Sequence, residues 1–427
     1  MSRGQIAVID PWVEDSVKWN VRNTAIASRE IGEGIMSARE GRLKVFWSVI
    51  VTALALGSLL MAGCASVGAV TTPPPSTEPS APLSPGTTRY FVYVANTNSN
   101  TVTAYAIDTG SGALTQVNGS PFTTGTGPRG IAADPKGRFV YVANYGSNDV
   151  SAYAIDTGSG ALAEANGSPF AAGSGPWHVA ADPAGKLIYV TNYGSDNVSA
   201  YSISSSSGAL TAAKGSPFAA GSSPAGVAAD PTGKFVYVAN NGSRDVSTYA
   251  VGSRTGARTA VRGSAIAAGV YPVGVSVDPT GKFIYVTNNG SATVSAFTMS
   301  SSSGTLTEVR GSPFPAGSSP WDIAVDPTGK FVYVANATDA TVSAYTISPG
   351  SGALREVRGS PIPAGSSPRG IAIDPTGKYV FVANYGSNNV SAYMIDATSG
   401  ALTAVAGSPF PAGARPGCVA VAAVSGP

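Results

Sequence analysis

Groups able to act as a base or a nucleophile near neutral pH are scarce in this sequence: it holds one histidine, His178, and two cysteines, Cys64 and Cys418. A histidine titrates in the physiological range and is the side chain a hydrolase would use as a general base. His178 stands two residues after Pro176, and the same proline-led pair recurs along the chain. Its first residue is in turn Arg129, Trp177, Ala225, Val273, Trp321, Arg369 and Gly417; its second is Gly130, His178, Gly226, Gly274, Asp322, Gly370 and Cys418. Charged, aromatic and nucleophilic side chains thus gather where Gly, Ala and Val fill the other copies. His178 with Arg129 and Arg369 is the candidate catalytic set, the arginines being suited to holding an anionic group. Trp177, Trp321 and Asp322, with Tyr145, Tyr193 and Tyr385 of three Asn-Tyr-Gly-Ser loops, are the candidate ligand contacts. His178, Asp322 and Cys418 would make a metal or nucleophile triad only if their separate copies converged, so no metal site is expected. Cys418 reads as a small buried residue.

These pairs belong to a repeat. A Tyr/Phe-Val-Ala/Thr-Asn tetrapeptide ends at Asn96, Asn144, Asn192, Asn240, Asn288, Asn336 and Asn384, and self-similarity at one fixed period means stacked supersecondary units. Each unit carries short β-rich segments with alternating polarity, separated by turn chemistry. In one unit Asp326-Pro327-Thr328-Gly329 makes a turn, and strands are expected over 331–336 and 341–347. A second turn follows at 350–353, and an outermost strand opens at 354–357. Four antiparallel strands per unit, seven times over, predict an all-β, seven-bladed β-propeller. The first unit lacks the proline-led strand and the last has a surplus one at 417–422, so the C-terminal strand is expected to complete the first blade and remove the free edge. The start of each innermost strand then lies at one mouth of the central channel, the default place for a ligand. What every unit shares is expected to build the blade: the Asn bonding its own backbone at a strand end, the Asp of Asp-Pro capping a turn. The stripe of Tyr105, Tyr153, Tyr201, Tyr249, Phe297, Tyr345 and Tyr393 is expected to pack between blades.

Composition agrees with this architecture. The chain is 43% hydrophobic and 12% charged with 52 Gly and 31 Pro, too apolar for disorder and too rich in turn formers for a helical fold. A formal charge of +2 with no basic stripe gives no footprint for nucleic acid. No dinucleotide or phosphate loop is present, so no cofactor is expected. A monomer is expected.

Ahead of the repeats, residues 45–63 form an uncharged apolar run after Arg39, Arg42 and Lys44, the pattern of a secretory signal. It closes on Leu60-Met61-Ala62-Gly63-Cys64, which resembles the bacterial lipobox, with Met61 where that pattern prefers Leu. The resemblance implies cleavage before Cys64 and a lipid on its sulfur; an uncleaved membrane anchor is the competing reading. Met36 would begin a conventional signal, so translation is expected to start there and residues 1–35 to be no part of the native chain. The expected divisions are 1–35, a signal peptide at 36–63, a lipidated cysteine with a Pro/Ser/Thr tether at 64–88, and a propeller at 89–427 in the bacterial cell envelope.

The tetrapeptides at 189–192 and 285–288 read Tyr-Val-Thr-Asn. With the Asp-Pro-Thr-Gly-Lys modules, the repeats resemble the YVTN-repeat and lactonase-like seven-bladed propellers, which include bacterial 6-phosphogluconolactonase. That resemblance implies a catalytic set of His with Arg and Glu in the proline-led module. Here Trp177 stands directly after the proline, where those enzymes often have His, and Glu164, Glu308 and Glu356 fall in outermost strands. A non-catalytic, lipid-anchored module binding a small molecule or protein is therefore the leading expectation. A lactonase acting through His178 is the alternative.

Overall fold

The computed structural model describes residues 87–252, 258–261 and 265–426; the expectations for residues 1–86, including the signal and Cys64, lie outside the described residues. Seven antiparallel sheets succeed one another, as the repeat predicts. Blade 2 is typical: Pro128–Ala133 innermost, then Phe139–Asn144, Asp149–Ile155 and, at the outer edge, Leu162–Glu164 and Phe170–Ala171. Both outer pieces pair with Asp149–Ile155. The fourth strand is thus split, interrupted by Gly167 at φ 84° and a cis Ser168–Pro169 bond. Blades 3 to 7 follow the same plan, opening at Pro176, Pro224, Pro272, Pro320 and Pro368.

Blade 1 closes the ring. Its Thr88–Asn96, Thr101–Ile107 and outer pieces receive Pro416–Ser425 as innermost strand, in register from Thr88↔Ser425 to Ala95↔Cys418, with Gly417 as an extra residue before Asn96↔Pro416. Pairing the two ends of the chain leaves no innermost edge exposed.

The second strand of each blade is buried on both faces because neighbouring blades press on each side, and all six residues of Phe139–Asn144 are buried. A continuous apolar run results, not the alternation of a half-exposed strand. Tyrosine hydroxyls tie the layers: Tyr141 donates to the Gly208 carbonyl of the next blade at 3.1 Å and Tyr333 to Gly400 at 2.9 Å. At the closing seam Phe381 takes the equivalent place, and Tyr379 donates instead to the Thr109 carbonyl at 3.3 Å. Gly160 sits at φ 77°, and a Cβ there would come within 2.2 Å of the Phe91 ring.

The stripe residues also join blades: Tyr153 donates to the Thr123 carbonyl of the preceding blade at 2.5 Å and Tyr345 to Pro315 at 2.7 Å. The Asp-Pro aspartates cap their turns, Asp326 accepting the N–H groups of Lys330 and Phe331, each at 2.7 Å. The repeated Asn differs from expectation in its partners. Asn144 donates to Asp149 at 2.7 Å and Ser151 at 2.9 Å, and Asn192 accepts the Gly173 N–H at 3.1 Å. It bonds neighbouring strands rather than its own backbone, because the strand end is fully buried and two further elements converge there.

Candidate functional site

Each innermost strand begins at the channel mouth with its proline and breaks register at once. In blade 3 the pairs Pro176↔Asn192 and Val179↔Val190 leave Trp177 and His178 opposite a single residue, Thr191. In blade 6 Pro320↔Asn336 and Asp322↔Ala335 leave Trp321 as the extra residue. Such bulges bend a strand and re-aim its side chains. Thr191 secures the bulge of blade 3, receiving the His178 N–H at 3.1 Å and donating to the Ala225 carbonyl at 2.6 Å.

The re-aimed side chains meet across the channel. Trp177 and Trp321 stack at 6.3 Å between centroids and 23° between planes. Arg129 lies over Trp177 at 4.0 Å and over Tyr145 at 4.8 Å; Arg369 lies over Trp321 at 4.3 Å and over Tyr385 at 3.5 Å. Arg129 fills the corner between Trp177 and Tyr145, whose rings meet edge-on at 5.8 Å and 81°, and Arg369 contacts Trp321 and Tyr385 in the cation–π geometry that suits arginine. Tyr193 stacks on Trp177 at 4.6 Å. Between Thr97, Arg129, Trp177, Trp321, Arg369 and Gly417 about 20 Å³ of space remains, about enough for one water. The mouth is filled, not open.

One residue deeper, the ring is crowded by backbone. A Cβ on Gly130 would come within 2.7 Å of the His178 Cα, and one on Gly370 within 2.5 Å of the Cys418 Cα. Glycines therefore separate the three side chains that fit. Each lines the channel wall and is turned toward the next blade: His178 Nδ1 accepts the Val227 N–H at 3.5 Å, and Asp322 accepts Ile371 N–H at 3.2 Å and its neighbour Ile323 N–H at 2.9 Å. Burial pushes the His178 imidazole down to about 4 and the Asp322 carboxyl up to about 6, the two N–H bonds opposing the latter. The Cys418 thiol is pushed up to about 12, first by burial and then by the charge of Asp322, which makes it a poor nucleophile.

The structure thus brings together Arg129, Trp177, Trp321, Arg369, Tyr145, Tyr193 and Tyr385. It holds His178, Asp322 and Cys418 in the layer beneath, in blades 3, 6 and 1. Among the described residues, no three His, Cys, Asp or Glu side chains lie close enough to share a metal ion. Glu164, Glu308 and Glu356 are exposed on outer strands, paired with Tyr153, Phe297 and Tyr345. Two participants were missed from the sequence: Thr97, which lines the mouth, and Arg415, which lies over Tyr385 at 5.3 Å and whose guanidinium donates to the Tyr385 hydroxyl at 3.4 Å. The signal for Arg415 was available, since the residue before the innermost proline is Gly or Ser in five of the other blades (Gly127, Gly175, Ser223, Ser319, Ser367).

The family described as lactonase, 7-bladed β-propeller, matches residues 84–171, 165–321 and 312–421. The chain belongs to the seven-bladed β-propeller lactonase family. No curated protein matches it. Among solved structures, this lactonase-family propeller is similar to a provisionally assigned 6-phosphogluconolactonase from Bacteroides fragilis (23% identity, TM-score 0.69, covering 81% of this chain and 99% of that one). It is similar to the Pseudomonas aeruginosa periplasmic gluconolactonase PpgL (20% identity, TM-score 0.66, 79% and 100% covered). It is also similar to the hydrazine synthase of Kuenenia stuttgartiensis (19% identity, TM-score 0.53, 77% and 99% covered). At such identities the likeness is one of fold, and a single fold carries unrelated chemistries.

Proposed function

We propose that this propeller is a lipid-anchored binding module of the cell envelope, held through Cys64, whose ligand or protein partner docks at the channel mouth and is not turned over. The filled mouth carries this reading. Two stacked indoles leave about 20 Å³, too little for a sugar lactone to reach the layer beneath. His178 is a weak base there, its imidazole pushed down to about 4 and its Nδ1 already accepting an N–H, whereas a general base works best with a pKa near the working pH. The rim presents the part-exposed side chains of Arg129, Tyr145 and Tyr193 and the exposed Arg415 to a partner resting on top.

A second reading, a lactone hydrolase using His178 with Arg129 and Arg369 on an anionic sugar, is favoured by the family match and by the activities for which two similar structures are named. One experiment separates them. Trp177 and Trp321 are the two tryptophans of the described residues, so propeller fluorescence reports on the mouth. With gluconolactone and gluconate as probes, the binding reading expects an emission change that is abolished in Trp321→Ala, with hydrolysis at background. Hydrolysis above background that is lost in His178→Ala would install the second reading.

A further inference from the structure

The two ends of the channel carry different chemistry. The prolines open one end; the Asp-Pro-x-Gly turns between the innermost and second strands lie at the other. In these turns the aspartates are buried and accept backbone N–H groups, as Asp278 does from Lys282 at 2.6 Å and Phe283 at 2.7 Å. The lysine side chain has no part in the turn and is exposed. Lys186, Lys234, Lys282, Lys330 and Lys378 stand this way on five adjacent blades, 3 to 7, and only Lys378 shares its blade's face with an exposed acid, Asp396. The described outer loops of blades 3, 5 and 6 on this face are built from Ser, Thr, Gly, Ala and Pro, with no acidic residue. The exposed acids of this face, Asp108, Asp156 and Asp396, all lie on blades 1, 2 and 7. The repeat alone would distribute charge evenly; the face is instead divided into a basic sector and an acid-bearing one.

Because each turn carries a buried carboxylate as well as a lysine, the field of the sector at a distance is modest, and attraction is greatest in direct contact. Four ammonium groups spread over four blades can be reached together by a broad, flat array of anions and not by one small ligand. The chain itself enters on this face: Thr88 begins the first strand beside Ser425, at the end opposite Asn96 and Pro416.

We infer that the basic sector of blades 3 to 6 rests on the anionic head groups of a bilayer, with the Trp177–Trp321 mouth turned away from it. The orientation rests on the reading that Cys64 carries the anchor; the lysine contact is tested separately. The mature chain from residue 64 onward, without the apolar run at 45–63 and with Cys64→Ser so that it cannot be acylated, is sedimented with phosphatidylglycerol-rich or pure phosphatidylcholine vesicles. About tenfold stronger retention on the anionic vesicles is expected, falling steeply with salt, since juxtamembrane basic residues each add to binding at an anionic surface. Replacing the four lysines by Gln is expected to abolish the preference while leaving the thermal unfolding midpoint unchanged. Replacing Lys136 and Lys378, on the acid-bearing side, is expected to leave most of it. Equal retention on both vesicles, an undiminished preference in the folded quadruple variant, or capture by soluble polygalacturonate without any vesicle preference overturns the inference. Failure of the anchor reads out differently, as wild-type protein that washes off native membranes as readily as Cys64→Ser.

Discussion

His178 and Asp322 occupy equivalent positions in blades 3 and 6, yet burial moves their ionisation in opposite senses. The folded state holds a proton on Asp322 that the unfolded chain releases, so this group makes stability fall as pH rises from about 4 to about 6. His178 is neutral in the fold while the unfolded chain is protonated, so it makes stability rise between about 4 and about 6.5. Each effect amounts to up to about 3 kcal/mol, and over the shared window they offset one another. Removing one should expose the other. Relative to wild type, the urea midpoint of Asp322→Asn is expected to climb between about pH 4 and 6, and that of His178→Gln to decline between about pH 4 and 6.5. Difference profiles that stay flat would show that the channel wall leaves both groups unperturbed. Internal comparison of the repeats found both residues, because each departs from the glycine its neighbours carry. It could not show that their side chains turn into the wall, since that depends on the bulge at Pro176 and the pressing backbone of the adjacent blade.

At the scale of the strand and the blade, the tyrosine in the middle of a second strand, present in every blade but the seventh, is a latch. Tyr141→Phe removes the donor to the buried Gly208 carbonyl and is expected to cost about 1 to 2 kcal/mol in denaturant unfolding. Tyr379→Phe acts on the more open seam between blades 7 and 1, where the bond is longer, and a smaller loss is expected. Strand positions were legible because turn residues bound them: Asp326-Pro327 and the following glycine mark one boundary, and Ser-Gly-Ala-Leu marks the next. The break in the outermost strand was not. Gly-Ser-Pro-Phe reads as a turn, but that both pieces return to the same neighbour, as Leu162–Glu164 and Phe170–Ala171 do, follows from tertiary pairing. The partners of the repeated Asn were hidden for the same reason, since Ser151 and Gly173 come from other elements.

For the whole molecule, closure by Pro416–Ser425 should be indispensable. Deleting 416–427 would leave Thr88–Asn96 as an unpaired inner edge and open the seam to blade 7. Loss of a single cooperative transition, with oligomers in size-exclusion chromatography, is expected; a monomer with an unchanged midpoint would contradict closure. Intact-mass spectrometry of membrane-extracted protein should find a diacylglyceryl-modified Cys64 at the N-terminus, and a peptide from residues 1–35 would overturn the proposed start at Met36. The blade count, the closing strand and the ring of unlike residues after each proline were determined by sequence alone, because local turn chemistry and a fixed period leave little freedom in how such a chain pairs. That Arg129, Trp177, Trp321 and Arg369 fill the mouth with one contiguous cluster was decided only by tertiary structure. The two tryptophans come from blades three apart, and only the curvature of the closed ring sets how far apart their indoles lie.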